Sequence, residues 1–139
     1  MIVLDTNVLS EPMRRRPDPG VIAWLSAHAD RAAITAVSVA ELQYGVQRLD
    51  AGRRRDALQG AIDRMERAAA DRLLAFDRAA ARRWGSLRAE RERLGRPMSL
   101  EDGMIAAICL VGEHDLATRN LADFEGLGIT LHDPWQVGG

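Results

Sequence analysis

Short apolar runs and helical stripes follow one another along this chain in an order that predicts strands and helices in alternation. Ile2-Val3-Leu4 opens directly into Asp5-Thr6-Asn7, residues suited to capping a helix, so a strand followed at once by a helix is expected. Pro17, Pro19 and Gly20 mark a loop, Val21–Ala27 reads as a short helix, and Ala32–Thr35 as a second strand. Ser38 with Glu41 three residues on has the spacing of a capping box, and Val39, Leu42, Val46 and Leu49 form the apolar stripe behind it. Gly52 interrupts that stripe before Leu58, Ile62, Met65 and Ala69 resume it over Arg53–Ala70, which predicts a helical hairpin. Leu73–Phe76 is a third strand candidate. Asp77 then caps a helix with Ala80, Trp84, Leu87 and Leu94 on its inner face, ended near Gly95 and Pro97. Ser99 and Asp102 repeat the cap spacing ahead of Met104–Val111, which is apolar nearly all round and so belongs in the interior. A strand over Leu116–Thr118, a brief helix over Leu121–Phe124 and a last strand over Ile129–His132 complete the series.

This order implies an α/β fold: a mainly parallel sheet of about five short strands, covered by helices on both faces through right-handed crossovers. In such sheets ligands bind beyond the carboxyl ends of the strands. The 139 residues contain no internal repeat or long linker and are expected to form a single domain over 1–139. With 47% hydrophobic and 28% charged residues, disordered, collagen-like and disulfide-scaffold classes are excluded. The longest apolar stretch is too short to span a membrane, Met1–Leu4 lacks the features of a secretion signal, and the lone Cys109 has no disulfide partner. A cytoplasmic protein without membrane contact is expected.

Net charge is −1, so no overall basic field points to nucleic acid. The distribution changes that picture: all nineteen cations are arginine, and they gather in clusters. Arg14, Arg15 and Arg16 are candidate phosphate contacts for RNA, because a guanidinium grips phosphate through a bidentate fork. The cluster from Arg88 to Arg96 reads as a solvated helix face.

The acidic residues are more telling. Asp5 follows the first strand, Glu41 is expected in the first turn of the helix after the second, and Asp102 in the first turn of the buried helix. Asn120 and Asp123 follow the strand that ends at Thr118. Each acid alone is explained by capping or by the helix dipole. Together they could converge on one edge of the sheet, where mutual repulsion would demand a cation. Carboxylates are hard ligands, and His28, His114 and His132 are isolated, so Mg²⁺ or Mn²⁺ is expected rather than zinc. Such an ion, held by few carboxylates and several waters, is the usual device for phosphoryl transfer.

Four segments then carry a resemblance: Met1 to Pro12, Ser38 to Gly45, Asp102 to Ala107, and Ala117 to Asn120 with Asp123-Phe124. In this order they resemble the PIN-domain ribonucleases, and within them the VapC and FitB toxins of bacterial toxin–antitoxin pairs; the Asp133-Pro134-Trp135 tail is similar too. The resemblance implies a PIN-like three-layer fold and a metal-dependent endoribonuclease acting on tRNA or other structured RNA. It implies the toxin of a type II pair, held inactive by a small cognate antitoxin, often a homodimer, and touching operator DNA only through the antitoxin. An antitoxin of this kind inserts an arginine or lysine into the acidic site, and the Val39–Ala70 hairpin is its expected docking surface. By position Asp5, Glu41 and Asp102 match the family's three near-invariant acids, and Thr6 matches a hydroxyl that supports the first. Many relatives carry an acid where this chain has Asn120. The fourth acidic role, catalytic and metal-binding, is therefore assigned to Asp123 and a supporting role to Asn120.

Other readings fit less well. A dehalogenase-type phosphatase needs an aspartate where Asn7 stands, a phosphoreceiver needs a lysine that this chain lacks, and a nucleotide-binding turn needs glycines absent from Asp5–Val8. A housekeeping PIN-domain RNA-processing nuclease and a catalytically silent PIN-like binding protein remain as alternatives.

Overall fold

The computed structural model describes residues 1–136, so the end of the expected domain, 137–139, lies outside the described residues. Five strands form one sheet: β1 (Ile2–Leu4), β2 (Ala32–Thr35), β3 (Leu73–Leu74), β4 (Asp115–Ala117) and β5 (Leu131–His132). Six α-helices connect them: α1 (Thr6–Ser10), α2 (Pro19–Ala27), α3 (Ala36–Gln47), α4 (Arg53–Ala68), α5 (Arg78–Arg93) and α6 (Leu100–Gly112). Tight 3₁₀ turns cover Glu11–Met13, Ala70–Arg72 and Leu121–Phe124.

The strand order is β3-β2-β1-β4-β5, and every neighbouring pair is parallel. All carboxyl ends therefore share one edge. The chain moves outward from β1 through β2 to β3, then returns to the other side of β1 with β4. The junction between β1 and β4 is thus the point where the winding reverses, the place where open α/β sheets form their binding crevice.

Alternation along the short strands divides the interior into two cores. Val3, Ala33 and Leu116 face one side, where they pack with Ala80 and Leu87 of α5 and Ile105, Ala106, Ile108 and Cys109 of α6. Ile2, Leu4, Ile34 and Ala117 face the other, against Val8 and Leu9 of α1, Leu42 and Val46 of α3, and Ile62 of α4. Strands buried on both faces read as unbroken apolar runs, which is why Ile2-Val3-Leu4 carries no polar alternation. The expected three-layer α/β architecture is observed, with the helical hairpin intact.

Several local expectations change: β4 covers Asp115–Ala117 instead of Leu116–Thr118, Leu94 is exposed instead of facing inward, and three further differences concern helix and strand ends. Helix α3 starts at Ala36, directly after β2, because the Thr35 hydroxyl rather than Ser38 caps it and accepts from the Ser38 amide at 3.1 Å. Ser38 becomes a buried residue of the first turn, and Glu41 moves to the second. β3 stops at Leu74 instead of Phe76, since its partner β2 ends at Thr35 and leaves nothing to pair with. The last strand likewise shortens to Leu131–His132, matching Leu116 and Ala117 opposite. Both Asp77 and Ser99 cap their helices as expected, accepting from Ala80 and Asp102 amides.

Losing the Thr35 hydroxyl while keeping its shape should expose the role of this cap. Thr35→Val should lower the unfolding free energy by about 1–2 kcal/mol, and Thr35→Ser by clearly less, in urea melts followed by circular dichroism.

Candidate active site

Asp5 directly follows β1 at the winding reversal, as the N-cap of α1, and is only 4% exposed. A buried carboxylate is costly unless hydrogen-bonded, and three donors meet this one, the longest being the Asn7 side-chain amide to Oδ2 at 3.5 Å. The Thr6 amide donates to Oδ1 at 2.8 Å, and the Thr118 hydroxyl, just past the end of β4, donates to Oδ2 at 2.8 Å. The Asn120 amide in turn donates to the Thr118 hydroxyl at 3.0 Å. Asn120 thus supports the site through its main chain, from an exposed position.

Glu41 reaches the same edge from α3. Its Oε1 accepts from the Thr6 hydroxyl at 2.8 Å, and Thr6 Oγ1 lies 2.9 Å from the Ser38 hydroxyl. Since Thr6 has one proton and gives it to Glu41, Ser38 must donate to Thr6. The relay Ser38 to Thr6 to Glu41 replaces the expected capping box. Asp102 is held at the start of α6, where Gly103 permits close packing on α5: a Cβ there would lie 3.1 Å from the Trp84 ring. Asp123, in the 3₁₀ turn after β4, is exposed and borders a cleft of about 430 Å³ together with Asp102 and Ser99.

The four acids feel one another. Burial raises the Asp5 carboxyl above its ordinary value, the Thr118 and Thr6 hydrogen bonds oppose this, and the charge of Asp123 adds to it. Glu41 is raised by burial, against its Thr6 bond, with Asp5 and Glu101 contributing like charge. Asp102 is pushed up to about 6, first by burial and then by Asp5, with smaller pushes from Asp123 and Glu41. None of the four forms an ion pair among the described residues. The tertiary structure therefore brings all four into one electrostatic neighbourhood and leaves its negative charge unbalanced.

Thr118 and Ser38 were not singled out as site residues in the sequence. A threonine ending an apolar strand run is indistinguishable from ordinary strand propensity, and Ser38 matched a cap pattern. Glu11 also went unnoticed; it is 2% exposed, forms an ion pair with Arg14 at 3.0 Å and accepts from the Asp18 amide at 3.3 Å. Arg14 is thereby tied to the molecule's own acid, while Arg15 and Arg16 stand free in solvent. The solvated-face expectation for Arg88 to Arg96 holds for Arg88, which pairs with Glu92 at 3.2 Å between exposed side chains. It fails for Arg91, which is 6% exposed. The histidines contact other parts of the fold: His132 pairs with Asp115 at 2.9 Å, and His28 stacks on Trp24.

A five-stranded parallel sheet in order 3-2-1-4-5, with carboxylates at its winding reversal, is the architecture of a PIN domain. The chain belongs to that family: the PIN domain profile matches residues 2–126. It is 37% identical over 138 residues to the VapC ribonuclease Y4jK of Sinorhizobium fredii, covering 98% of this chain and 99% of the relative. Toxin FitB of Neisseria gonorrhoeae is 34% identical over 140 residues, covering 97% and 99%. The solved structure of FitAB bound to an IR36 DNA fragment superposes with a TM-score of 0.92 at 31% identity, covering 100% of this chain and 99% of that one.

The charge crowding has a measurable consequence in metal-free protein. The folded state holds the Asp102 proton up to pH about 6, against an ordinary value of 3.8. Stability present below pH 4 is therefore lost as pH rises through 6. Asp102→Asn removes that loss. In EDTA its melting temperature should exceed wild type by about 4 °C at pH 7 and match it at pH 4, in thermal melts across that range.

Proposed function

We propose that this protein is a divalent-metal-dependent endoribonuclease acting as the toxin of a type II toxin–antitoxin pair, with tRNA or another structured RNA as substrate. The observation that carries this reading is the set of four uncompensated carboxylates, Asp5, Glu41, Asp102 and Asp123, at the winding reversal of a PIN-domain sheet. Membership in a family that includes a chain named VapC ribonuclease and one named Toxin FitB supports it.

All four groups offer hard oxygen donors, and no cation of the protein itself neutralises them among the described residues. No group of three or more His, Cys, Asp or Glu side chains stands close enough together to hold an ion among these residues. This donor chemistry fits Mg²⁺ or Mn²⁺, which keep several waters and take few carboxylates directly. One or two of Asp5, Glu41, Asp102 and Asp123 would hold the ion directly and the others through its waters, and when bound it would supply water activation and neutralise phosphate charge. The protein's own part is orientation. Thr118 and the Thr6 amide hold both Asp5 oxygens, the Ser38–Thr6 relay aims Glu41, and Ser99 fixes the turn that presents Asp102.

A small cognate antitoxin is the expected partner. Its docking surface is the groove of about 260 Å³ where α3 meets α4, floored by Leu42, Val46, Leu58 and Ile62 and reaching Glu41. An apolar helix on that floor could extend a basic side chain toward the acids. A homodimer is expected, operator DNA would be contacted through the antitoxin, and the cytoplasm is the compartment assigned. Among the described residues no helix is long and apolar enough to cross a membrane.

RNA incubated with the purified protein should be cut in Mg²⁺ or Mn²⁺ and not in EDTA. Asp5→Asn, Glu41→Gln and Asp102→Asn should each abolish cutting while the circular dichroism spectrum stays native. Cutting that persists in any of them would remove that carboxylate from the active site. Asp123→Asn should weaken Mg²⁺ affinity about 10–100-fold and slow cutting, and Asn120→Asp should keep activity or raise Mg²⁺ affinity. An Asp123→Asn protein with unchanged Mg²⁺ titration would leave three carboxylates as the charged site.

A further inference from the structure

The cleft that Asp102 and Asp123 border has a second wall of opposite sign. Arg91, from the last turn of α5, and Arg96, from the loop between α5 and α6, line it with Pro97 and Met98. Arg91 is 6% exposed and forms no ion pair among the described residues. A guanidinium stays charged at any working pH, and buried charges are ordinarily paired. Here Nε donates to the Arg96 carbonyl at 2.9 Å and Nη1 to the Glu125 carbonyl at 3.4 Å. Those carbonyls fix the group in place without cancelling its charge. If Arg91 served to neutralise Asp102 or Asp123, it would bond to them; its donated bonds go elsewhere. Arg96 is exposed at the rim of the same cleft, free to swing toward a ligand.

We propose that Arg91 and Arg96 form a phosphate-binding wall that places the RNA backbone on the α5–α6 side of the carboxylates. This rests on the nuclease reading above and extends it by naming where the substrate lies. Arg91 is the fixed element, and Arg96 the adaptable one. Both would contact phosphate oxygens of nucleotides next to the bond to be cut, through charge-assisted hydrogen bonds.

The test is binding rather than cutting, in a Glu41→Gln background whose amide oxygen can still accept from Thr6. A fluorescein-labelled RNA hairpin with single-stranded flanks is titrated in Mg²⁺ at several salt concentrations. Arg96→Ala should bind about tenfold more weakly, the loss of one charge-assisted hydrogen bond, and the slope of log Kd against log salt should fall by about 0.7–0.9. Arg91→Met should weaken binding at least as much, with Arg91→Lys intermediate. Thermal melts identify any Arg91 variant that fails to fold, and the exposed Arg96 then decides the matter. If the background binds RNA and Arg96→Ala binds with unchanged affinity and slope, the phosphate wall is overturned and the nuclease reading stands. If the background binds no RNA at all, both fall.

Discussion

The buried carboxylate of Asp5 is the constraint on which the rest of the site depends. It directly follows the central strand, and its oxygens are satisfied by the next amide in the chain, by the Asn7 side chain and by a threonine just past the adjacent strand. The threonine bond exists only because β4 lies beside β1, so the strand order and the site chemistry are one fact. Parallel pairing brings Glu41 and Asp123 to the same edge, because β2 and β4 exit there, and Asp102 joins them from the first turn of α6. A mixed sheet would have scattered them across two edges.

Gathering like charges at a partly buried edge opposes folding, and the fold compensates elsewhere. Two apolar cores, one on each face of the sheet, enclose strands only two to four residues long. Short strands contribute few ladder bonds, so helix packing carries the sheet. Gly103 illustrates how closely the two requirements meet: it lets α6 approach Trp84 of α5, and the residue before it is Asp102. Instability concentrated at a functional edge, offset by a well-packed interior, is the common trade between stability and activity.

Composition shows arginine in abundance, and the structure sorts these residues by their partners. Arg14 is bound to the buried Glu11, Arg88 lies over Trp84 and pairs with Glu92, and Arg119 lies 5.0 Å from the Trp135 ring centre. Each of these has a local use for its charge. Arg91 differs because it is buried against carbonyls alone. The same residue type in the same sequence cluster thus plays unlike roles, and net charge or clustering cannot separate them.

Much of the architecture was legible in the chain. The apolar run Ile2-Val3-Leu4, the caps Asp77 and Ser99, the hairpin broken at Gly52 and the all-apolar Met104–Val111 report on local backbone geometry and burial, which neighbouring residues largely set. The acids could be placed near one edge for the same reason, because each follows a strand or opens a helix. Tertiary structure alone decided their partners. Thr35 displaced Ser38 as a cap once β2 ran straight into α3; Thr6 met Glu41 across 35 positions, and Thr118 met Asp5 across 113. The burial of Arg91 followed from the Leu121–Phe124 turn and its flanking loop folding back over the end of α5. Periodicity and capping patterns encode which way a side chain faces along its own element. Which hydroxyl or carbonyl it meets depends on the order in which strands assemble, and that is a property of the whole fold.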